Sequence, residues 1–495
     1  MSQTSQVLAF GQSGANYIGQ QGLTDADGNH VMAGKKFQTN DYPHLAFFNA
    51  NKVFQWAYRF DKPSVTAMKV LQTRDKNYVA AFATGASSLL IKFDALGNIL
   101  WYRDFSNVHS FEDMCEDGNN NLYLVGNNMD KMLLTRIGSN GAVVWTHAYR
   151  VVPASNYLFG KSIVETQDQQ LLLCGVASYL NGTPAKVVAL KTDKAGNVVW
   201  SSVISSPGYT LLVDKLIEST KDGKLFGVGY RSNGGTPSFD GFSLLLDSVG
   251  MPLKGRWVGF DFQDNYYDVA EAPEGGYVAV GMSKPVLNCG GNMYYTRFSA
   301  SNDTIFNKTY GTAAGNGAFF FNISAMPGGG YSSYGSGSLW SSIQQPYDYT
   351  HLLADAQCEL PCKKFGQVFH SDTVALLRDT VIEKLSFTAN HSSTFQRFAE
   401  NMMVVDACTG QVLDVEEEEL RSQLSVFPNP FADIIRIQGI QGKVWAEVYN
   451  VTGVQLKREE LQNEILDLRT LSEGVYFLVL TEQDGSRVVK RLVKK

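Results

Sequence analysis

Charge is the first shortage. Only 18% of the 495 residues are Asp, Glu, Lys or Arg, and the net charge is −6, which leaves no basic footprint for nucleic acid. Proline is sparse at 14 residues, and the seven histidines (His30, His44, His109, His147, His351, His370 and His391) are scattered. HExxH, a second Cys or His pair at zinc-ligand spacing to join Cys358 and Cys362, a Gly-x-Ser-x-Gly elbow and the full Gly-x-x-x-x-Gly-Lys-Ser/Thr phosphate loop are all missing; Gly160-Lys161-Ser162 occurs without the first glycine of that loop. These gaps argue against metalloprotease, serine-hydrolase and nucleotide-hydrolase chemistry, and neither a metal nor a cofactor is expected. No apolar run is long enough to span a bilayer. Six cysteines are few for this length. Cys115 and Cys174 lie in strand-like runs and read as buried thiols. A disulfide among Cys358, Cys362 and Cys408 stays open, because an exported chain would meet an oxidising compartment.

What is abundant is glycine (46), aromatic residues (12%) and apolar residues (44%), a composition suited to many strands joined by tight turns. A repeat organises them. Trp56, Trp101, Trp145 and Trp200 are 45, 44 and 55 residues apart. Three of the four follow an Asp-x-x-Gly-Asn or Ser-Asn-Gly turn, and weaker copies lead to Trp257 and Phe306. A second turn with a strand ending in glycine precedes each, as in Asp117-Gly118-Asn119 to Gly126. The unit is four short strands, A to D, over about 45 residues, the size of a propeller blade. Units starting near Ile18, Val65, Phe111, Gly160, Val213, Tyr267 and Phe319 predict an all-β, seven-bladed β-propeller over residues 1–362. The last unit lacks a D strand, and Gln6–Gly11 resembles the missing piece. Borrowing it would close the ring and remove the open edge.

In such a unit the A–B and C–D turns share one face, and they are short throughout. The B–C and D–A connections share the other; five of the B–C connections, such as Ser178 to Ala185 and Arg231 to Gly241, and several D–A connections are long and irregular, which makes that face the expected ligand surface. Its candidate ligand-binding aromatics are Tyr42, Tyr179, Tyr209, Phe239, Tyr266, Trp340, Tyr347 and Tyr349, rings suited to stacking on sugars or anchoring a protein. The Asp25-x-Asp27-Gly28-Asn29 turn superficially resembles the start of a calcium loop, but Lys36 stands where the twelfth-position acid belongs, so calcium is not expected.

From 363 to 423 the repeat breaks. Short strand-like runs without clear partners precede an acidic linker, Glu416-Glu417-Glu418-Glu419, and extra strands or a spacer are both open readings. Residues 424–495 alternate again. They begin Val426-Phe427-Pro428-Asn429-Pro430-Phe431, pass through Val448-Tyr449-Asn450-Val451-Thr452-Gly453 and Glu473-Gly474-Val475-Tyr476, and end on a basic strand with Lys490, Arg491, Lys494 and Lys495. Read physically, this is a small Ig-like β-sandwich.

Taken together, these motifs resemble the C-terminal sorting domain of cargo exported by the type IX secretion system of Bacteroidetes. The resemblance implies that Pro428, Asn429, Pro430, Gly453, Gly474, Tyr476, Lys490, Arg491, Lys494 and Lys495 form the sorting signal. It implies recognition by the outer-membrane translocon and cleavage by a sortase-like protease in the acidic linker. The protein is then secreted or attached to the outer cell surface. It also implies a signal peptide; Met1–Ser5 has no basic and apolar leader pattern, so the chain given is expected to start after it. For the propeller, no catalytic residue stands out. A binding or adhesion module for glycan or protein is favoured. A secreted polysaccharide hydrolase or lyase, with carboxylates spread over several blades, and a structural component of the surface or of the secretion machinery are the alternatives.

Overall fold

The computed structural model describes residues 5–495 except for short stretches, the longest being 285–290, 312–317, 338–348 and 407–424. The described residues form strands and turns and no helix, and the chain divides into two compact units, 1–413 and 414–495.

The first unit is a β-propeller. Twenty-eight of its strands pair into seven four-stranded antiparallel sheets, numbered here in chain order. Their A strands are Asn16–Thr24, Val65–Gln72, Ser110–Glu116, Tyr157–Glu165, Tyr209–Glu218, Gln263–Glu271 and Ala318–Ala325. These touch one another in a closed cycle, the seventh returning to the first. Gln6–Gly11 pairs with Tyr349–Ala354 as the fourth strand of sheet 7, so the ring closes with the N-terminal strand as expected.

The turn-and-tryptophan repeat has a mechanical reason. Each turn aspartate folds back on its own backbone: Asp94 Oδ1 accepts from the amides of Leu96 and Asn98, both at 2.9 Å. The Asp25 carboxylate does the same for Asp27 and Asn29, which accounts for the calcium-like spelling. The glycine two residues before the next strand sits at positive φ and lies under the aromatic ring of the preceding sheet. Trp56 lies on Gly97, Trp101 on Gly141 and Trp200 on Gly250. The Trp56 indole donates to the Ala95 carbonyl at 2.9 Å in the same turn. Each D-strand ring thus keys one sheet to the next.

This gives a direct expectation. Gly250 has φ +77, and an added Cβ would lie 2.4 Å from the Trp200 ring, so Gly250→Ala adds a clash to the left-handed strain and is expected to cost more than about 2 kcal/mol. Gly223 has φ +69 with nothing within 4 Å, so Gly223→Ala is expected to cost only about 1–2 kcal/mol. Urea denaturation of the two variants side by side checks the difference; equal losses would mean that the ring contact is not what the glycine serves.

Segment 363–406, which the sequence left open, is a belt. Its strands are Lys364–Phe365, His370–Val374, Leu377–Asp379, Ile382–Phe387, His391–Ser392, Arg397–Glu400 and Met403–Asp406. Each pairs antiparallel with an outermost D strand, in the order sheet 6, 5, 4, 3, 2, 1 and finally 7. Every sheet therefore gains a fifth strand that covers its exposed edge. Basic belt residues also reach the C–D turn of the next sheet. Arg397 donates to Gly97 O at 2.6 Å while lying 4.1 Å over the Tyr58 ring, and Lys384 donates to Ala195 O at 3.2 Å.

The second unit packs a three-stranded sheet (Ser425–Phe427, Ile434–Gln438, Ile465–Asp467) and a four-stranded sheet (Gln455–Leu461, Val444–Asn450, Gly474–Glu482, Arg487–Lys494) around one core. Ile435, Ile437, Ala446, Val448, Leu478 and Leu492 are buried in it. The apolar alternation of the sequence points inward, giving the expected small sandwich.

Candidate functional site

A single device shapes the inner wall of the propeller. Every A strand carries a β-bulge, between Gly19 and Gln21, Val65 and Ala67, Phe111 and Asp113, Gly160 and Ser162, Val213 and Lys215, Tyr266 and Asp268, and Phe320 and Asn322. A bulge re-aims the skipped side chain. The skipped residues are Gln20, Thr66, Glu112, Lys161, Asp214, Tyr267 and Phe321, a chemically varied set. The residue after the bulge ties neighbouring sheets together. Asp113 accepts from Ile163 N at 3.2 Å, Ser162 from Leu216 N at 3.1 Å and Asp268 from Ile323 N at 3.0 Å. Lys215 pairs with Asp113 at 2.6 Å, and Lys69 with the same carboxylate at 3.3 Å. Burial disfavours the Asp113 charge, but the two ammonium groups outweigh it and hold the carboxyl below its ordinary range.

On the B–C and D–A face, a cavity of about 540 Å³ opens over sheets 3, 4 and 5. Glu112 and Lys161 come from bulges; His109, Met129 and Ala185 come from connections; Phe159, Val176, Leu212 and Tyr230 supply apolar surface. Glu112 Oε1 accepts from Ser110 Oγ at 2.5 Å and from Asn127 Nδ2 at 3.4 Å. Lys161 pairs with Asp214 at 3.4 Å. Burial pushes the Asp214 carboxyl up, against Lys161 and with help from Glu112. Burial, then the Asp214 charge, raises the Tyr230 hydroxyl. The arrangement combines hydrogen-bonding and apolar lining in a volume suited to a small ligand.

A slightly larger cavity, about 610 Å³, lies on the A–B side near Arg74, Glu165 and Glu218. Its carboxylates are committed to structure: Glu218 accepts from Gln167 N at 2.7 Å, and Glu165 binds Lys194 at 2.5 Å. Glu116 and Glu271 cap the preceding A–B turn in the same way, at 2.6 and 2.9 Å.

The aromatics proposed from sequence separate into three groups. Tyr42, Tyr179, Tyr209 and Phe239 are half-buried. Tyr42 lies under the Arg59 guanidinium at 4.6 Å, and the Lys186 ammonium sits over Tyr179 at 5.6 Å. Arg231 lies between Tyr209 and Trp257 at 4.6 and 4.4 Å, and Phe239 packs on Tyr230. Tyr266 and Tyr349 are not on the face at all; both are core residues, 0% and 2% exposed. Each belongs to a strand where the sequence had placed a loop. Tyr266 donates to Thr296 Oγ1 at 2.7 Å, and Tyr349 OH lies 3.0 Å from His44 Nδ1. Trp340 and Tyr347 lie outside the described residues. Sequence reasoning singled out none of Glu112, Lys161 and Asp214. Their signal was the bulge offset, once per repeat, hidden because the residue type changes each time.

In the second unit, Pro428, Asn429, Pro430 and Lys495 are exposed. Val493 N donates to Asn429 Oδ1, Phe431 N to Val493 O and Lys495 N to Phe431 O, each at 2.9 Å. The opening Pro-Asn-Pro corner and the basic end thus lie side by side. Tyr476 and Lys494 serve the fold: Tyr476 OH donates to Ser472 O at 2.7 Å, and buried Lys494 donates to Leu468 O at 2.8 Å. Gly474 holds φ 153, a conformation that side-chain-bearing residues rarely adopt. Lys490 is half-buried. Gly453 and the Arg491 side chain lie outside the described residues. Cys358 is a free, buried thiol, which takes it out of the disulfide left open above; Cys362 and Cys408 lie outside the described residues.

A ring of four-stranded sheets with one elaborated face, followed by a separate sandwich, defines a β-propeller protein with an appended C-terminal domain. Residues 425–495 match the secretion system C-terminal sorting domain family, so the chain is a type IX secretion cargo with a propeller attached to its sorting domain. Secretion or attachment at the cell surface follows, as does an interaction with that secretion system. Among solved structures, PorZ, a surface component of the type IX secretion system of Porphyromonas gingivalis, is similar at 11% identity and TM-score 0.38, covering 96% of this chain and 74% of that one. A catalytically inactive virginiamycin B lyase from Staphylococcus aureus is similar at 11% identity and TM-score 0.46, covering 71% and 99%. An ulvan lyase gives 10% identity and TM-score 0.46, covering 70% and 96%. No curated protein matches the chain.

Proposed function

We propose that this is a cell-surface binding module, exported through its C-terminal domain, that takes a glycan or protein ligand on the B–C and D–A face of the propeller. The observation that carries the reading is the cavity over sheets 3 to 5, built from bulge residues together with His109, Met129 and Ala185 from the connections of that face. A carbohydrate array and a surface-protein pull-down with the full chain test it. Ligands that still bind when Glu112, Asn127 and Tyr230 are replaced together would sink it.

A second reading, a polysaccharide hydrolase or lyase, is favoured by two carboxylates in unlike settings. Glu112 is hydrogen-bonded at the cavity wall, and Asp214 is buried behind Lys161. Such pairs divide acid and base roles in sugar chemistry. Release of reducing ends or unsaturated sugars, abolished by Glu112→Gln and by Asp214→Asn, would favour catalysis over binding.

For the sorting domain, the surface we assign to recognition by the translocon is the exposed corner of Pro428, Asn429 and Pro430 beside Lys495. Cleavage by a sortase-like protease falls in the acidic linker. Removing residues 425–495 is expected to leave the protein inside the cell. Replacing Asn429 and Lys495 together by Ala is expected to cut export severalfold while the sandwich still melts cooperatively. Undiminished export of the truncated chain, followed by surface labelling, would contradict the assignment.

A further inference from the structure

The cavity of sheets 3 to 5 is unevenly charged. Glu112, Lys161 and His109 line it, and Asp214, outside the lining, faces the Lys161 ammonium. That ammonium is engaged: it pairs with Asp214 at 3.4 Å. Both hydrogen bonds to Glu112 fall on Oε1; among the described residues its Oε2 accepts none. A half-buried carboxylate oxygen at a cavity wall favours a ligand that brings a positive charge and an N–H donor. It also repels a ligand carrying its own carboxylate or sulfate.

The rest of the cavity narrows the class. Phe159 stacks with Tyr157, ring centroids 5.7 Å apart and planes 8° from parallel, and presents its ring among the apolar lining. The same lining carries short polar groups: the Ser110 hydroxyl and the Asn127 amide, hydrogen-bonded to each other and to Glu112, and the Tyr230 phenol. A cavity lined by both an aromatic ring and short polar groups suits a sugar ring, which has one apolar face and an equator of hydroxyls. A flexible basic peptide would bring the charge but not the flat face.

We infer that the cavity between sheets 3 and 5 is a subsite for a short oligosaccharide of amino sugars bearing a free ammonium group, with Glu112 as the residue that selects the charge. This rests on the reading of that face as the ligand surface. The test is titration calorimetry on the full chain with four probes: the β-1,4-linked trimer of glucosamine, its N-acetylated counterpart, a galacturonate trimer and a tri-lysine peptide. The glucosamine trimer is expected to bind at least tenfold more tightly than the galacturonate trimer. Glu112→Gln is expected to weaken it at least tenfold and to erase its advantage over the N-acetylated trimer. Tyr230→Phe should weaken both neutral and cationic trimers. Asp27→Asn, at an exposed turn on the opposite face, should change nothing. Equal or tighter binding of galacturonate overturns the inference, as does an unaltered affinity of Glu112→Gln with an unchanged melting curve. Tri-lysine binding as tightly as the glucosamine trimer, with the same loss in Glu112→Gln, would replace the sugar with a basic peptide. If neutral glycans bind regardless of Glu112, the surface reading survives and the charge selection falls. If neither saccharide nor surface protein binds, the surface reading falls as well.

Discussion

Ending the chain after Cys362 is expected to leave a propeller that aggregates or melts at a much lower temperature, whereas ending it after Leu413 should preserve the unfolding transition of the larger unit. The shorter chain loses the whole belt. Seven D strands would then present unpaired N–H and C=O rows to solvent, a template for association between copies. Apolar contacts go too: Leu385 and Phe387 pack on the core between sheets 2 and 3, and Met402 is buried against sheets 1 and 7. A point substitution isolates the electrostatic part. Glu400, on the belt strand of sheet 1, lies 2.7 Å from Lys36, 3.1 Å from His44 and 3.8 Å from Arg59. Its side chain is 9% exposed. Removing it takes away the carboxylate that Lys36 and Arg59 share in a poorly solvated place, so Glu400→Ala is expected to cost about 3–5 kcal/mol. Urea unfolding of the two truncations and of Glu400→Ala decides the matter. A chain of 362 residues as stable as one of 413 would show the belt to be dispensable.

Acidification is the second large lever. The seam where sheet 7 meets sheet 1 holds two buried histidines. The His30 ring lies 4.8 Å from that of His351, and His30 Nδ1 is 2.8 Å from Tyr334 OH. Burial, followed by the nearby Lys52 charge, pushes His30 down to about 4 against a smaller pull from Asp25. Burial, then His30 and Lys52, takes His351 well below its ordinary value. Both are neutral in the folded chain and titrate near 6.5 in the unfolded one. The unfolded state therefore binds more protons, and stability falls as pH drops from about 6.5 toward 4. Above that window the histidines have no effect, and below about 4 the His30 contribution is exhausted. Each contributes up to about 1.4 kcal/mol per pH unit; across its whole shift His30 is worth about 3 kcal/mol. His44, also depressed by burial against an opposing Glu400, adds to the slope. Asp214 and Asp268, whose carboxyls burial raises, oppose it by taking up protons sooner in the folded state. Urea midpoints from pH 7.5 to 4.5, compared with those of His351→Gln, measure the effect; identical slopes in the two proteins would rule out the seam as the source.

What could be read from the chain divides along a physical line. The repeat was legible because its parts are tied by contact: an aspartate to cap the turn, a glycine at positive φ and a ring to lie on it must recur together. The closing strand was legible because Gln6–Gly11 does for sheet 7 what Thr304–Tyr310 does for sheet 6. The sorting domain was legible from residues that hold its corner together, Asn429 and Gly474 among them. The belt was not, because a strand of two to six residues that pairs through its backbone needs no apolar alternation; His370–Val374 is mostly exposed. Tyr266 and Tyr349 were misplaced because a strand's first or early residues look like loop in one dimension. The cavity was hidden for a related reason. A bulge fixes where a side chain points and leaves its identity free, so Gln20, Glu112 and Lys161 share a geometry without sharing a letter.

The belt also decides how this protein would yield to a pull. It laps the propeller against the direction in which the sheets were laid down and ends on Gln6–Gly11, the strand that closes the ring. Tension applied from the C-terminal side reaches Met403–Asp406 first and must unzip the belt sheet by sheet, each release paying out slack. At each step the load falls on the D strand of one sheet, beginning with Gln6–Gly11. A molecule tethered by that end would stretch like a stitched seam, losing its edges one sheet at a time.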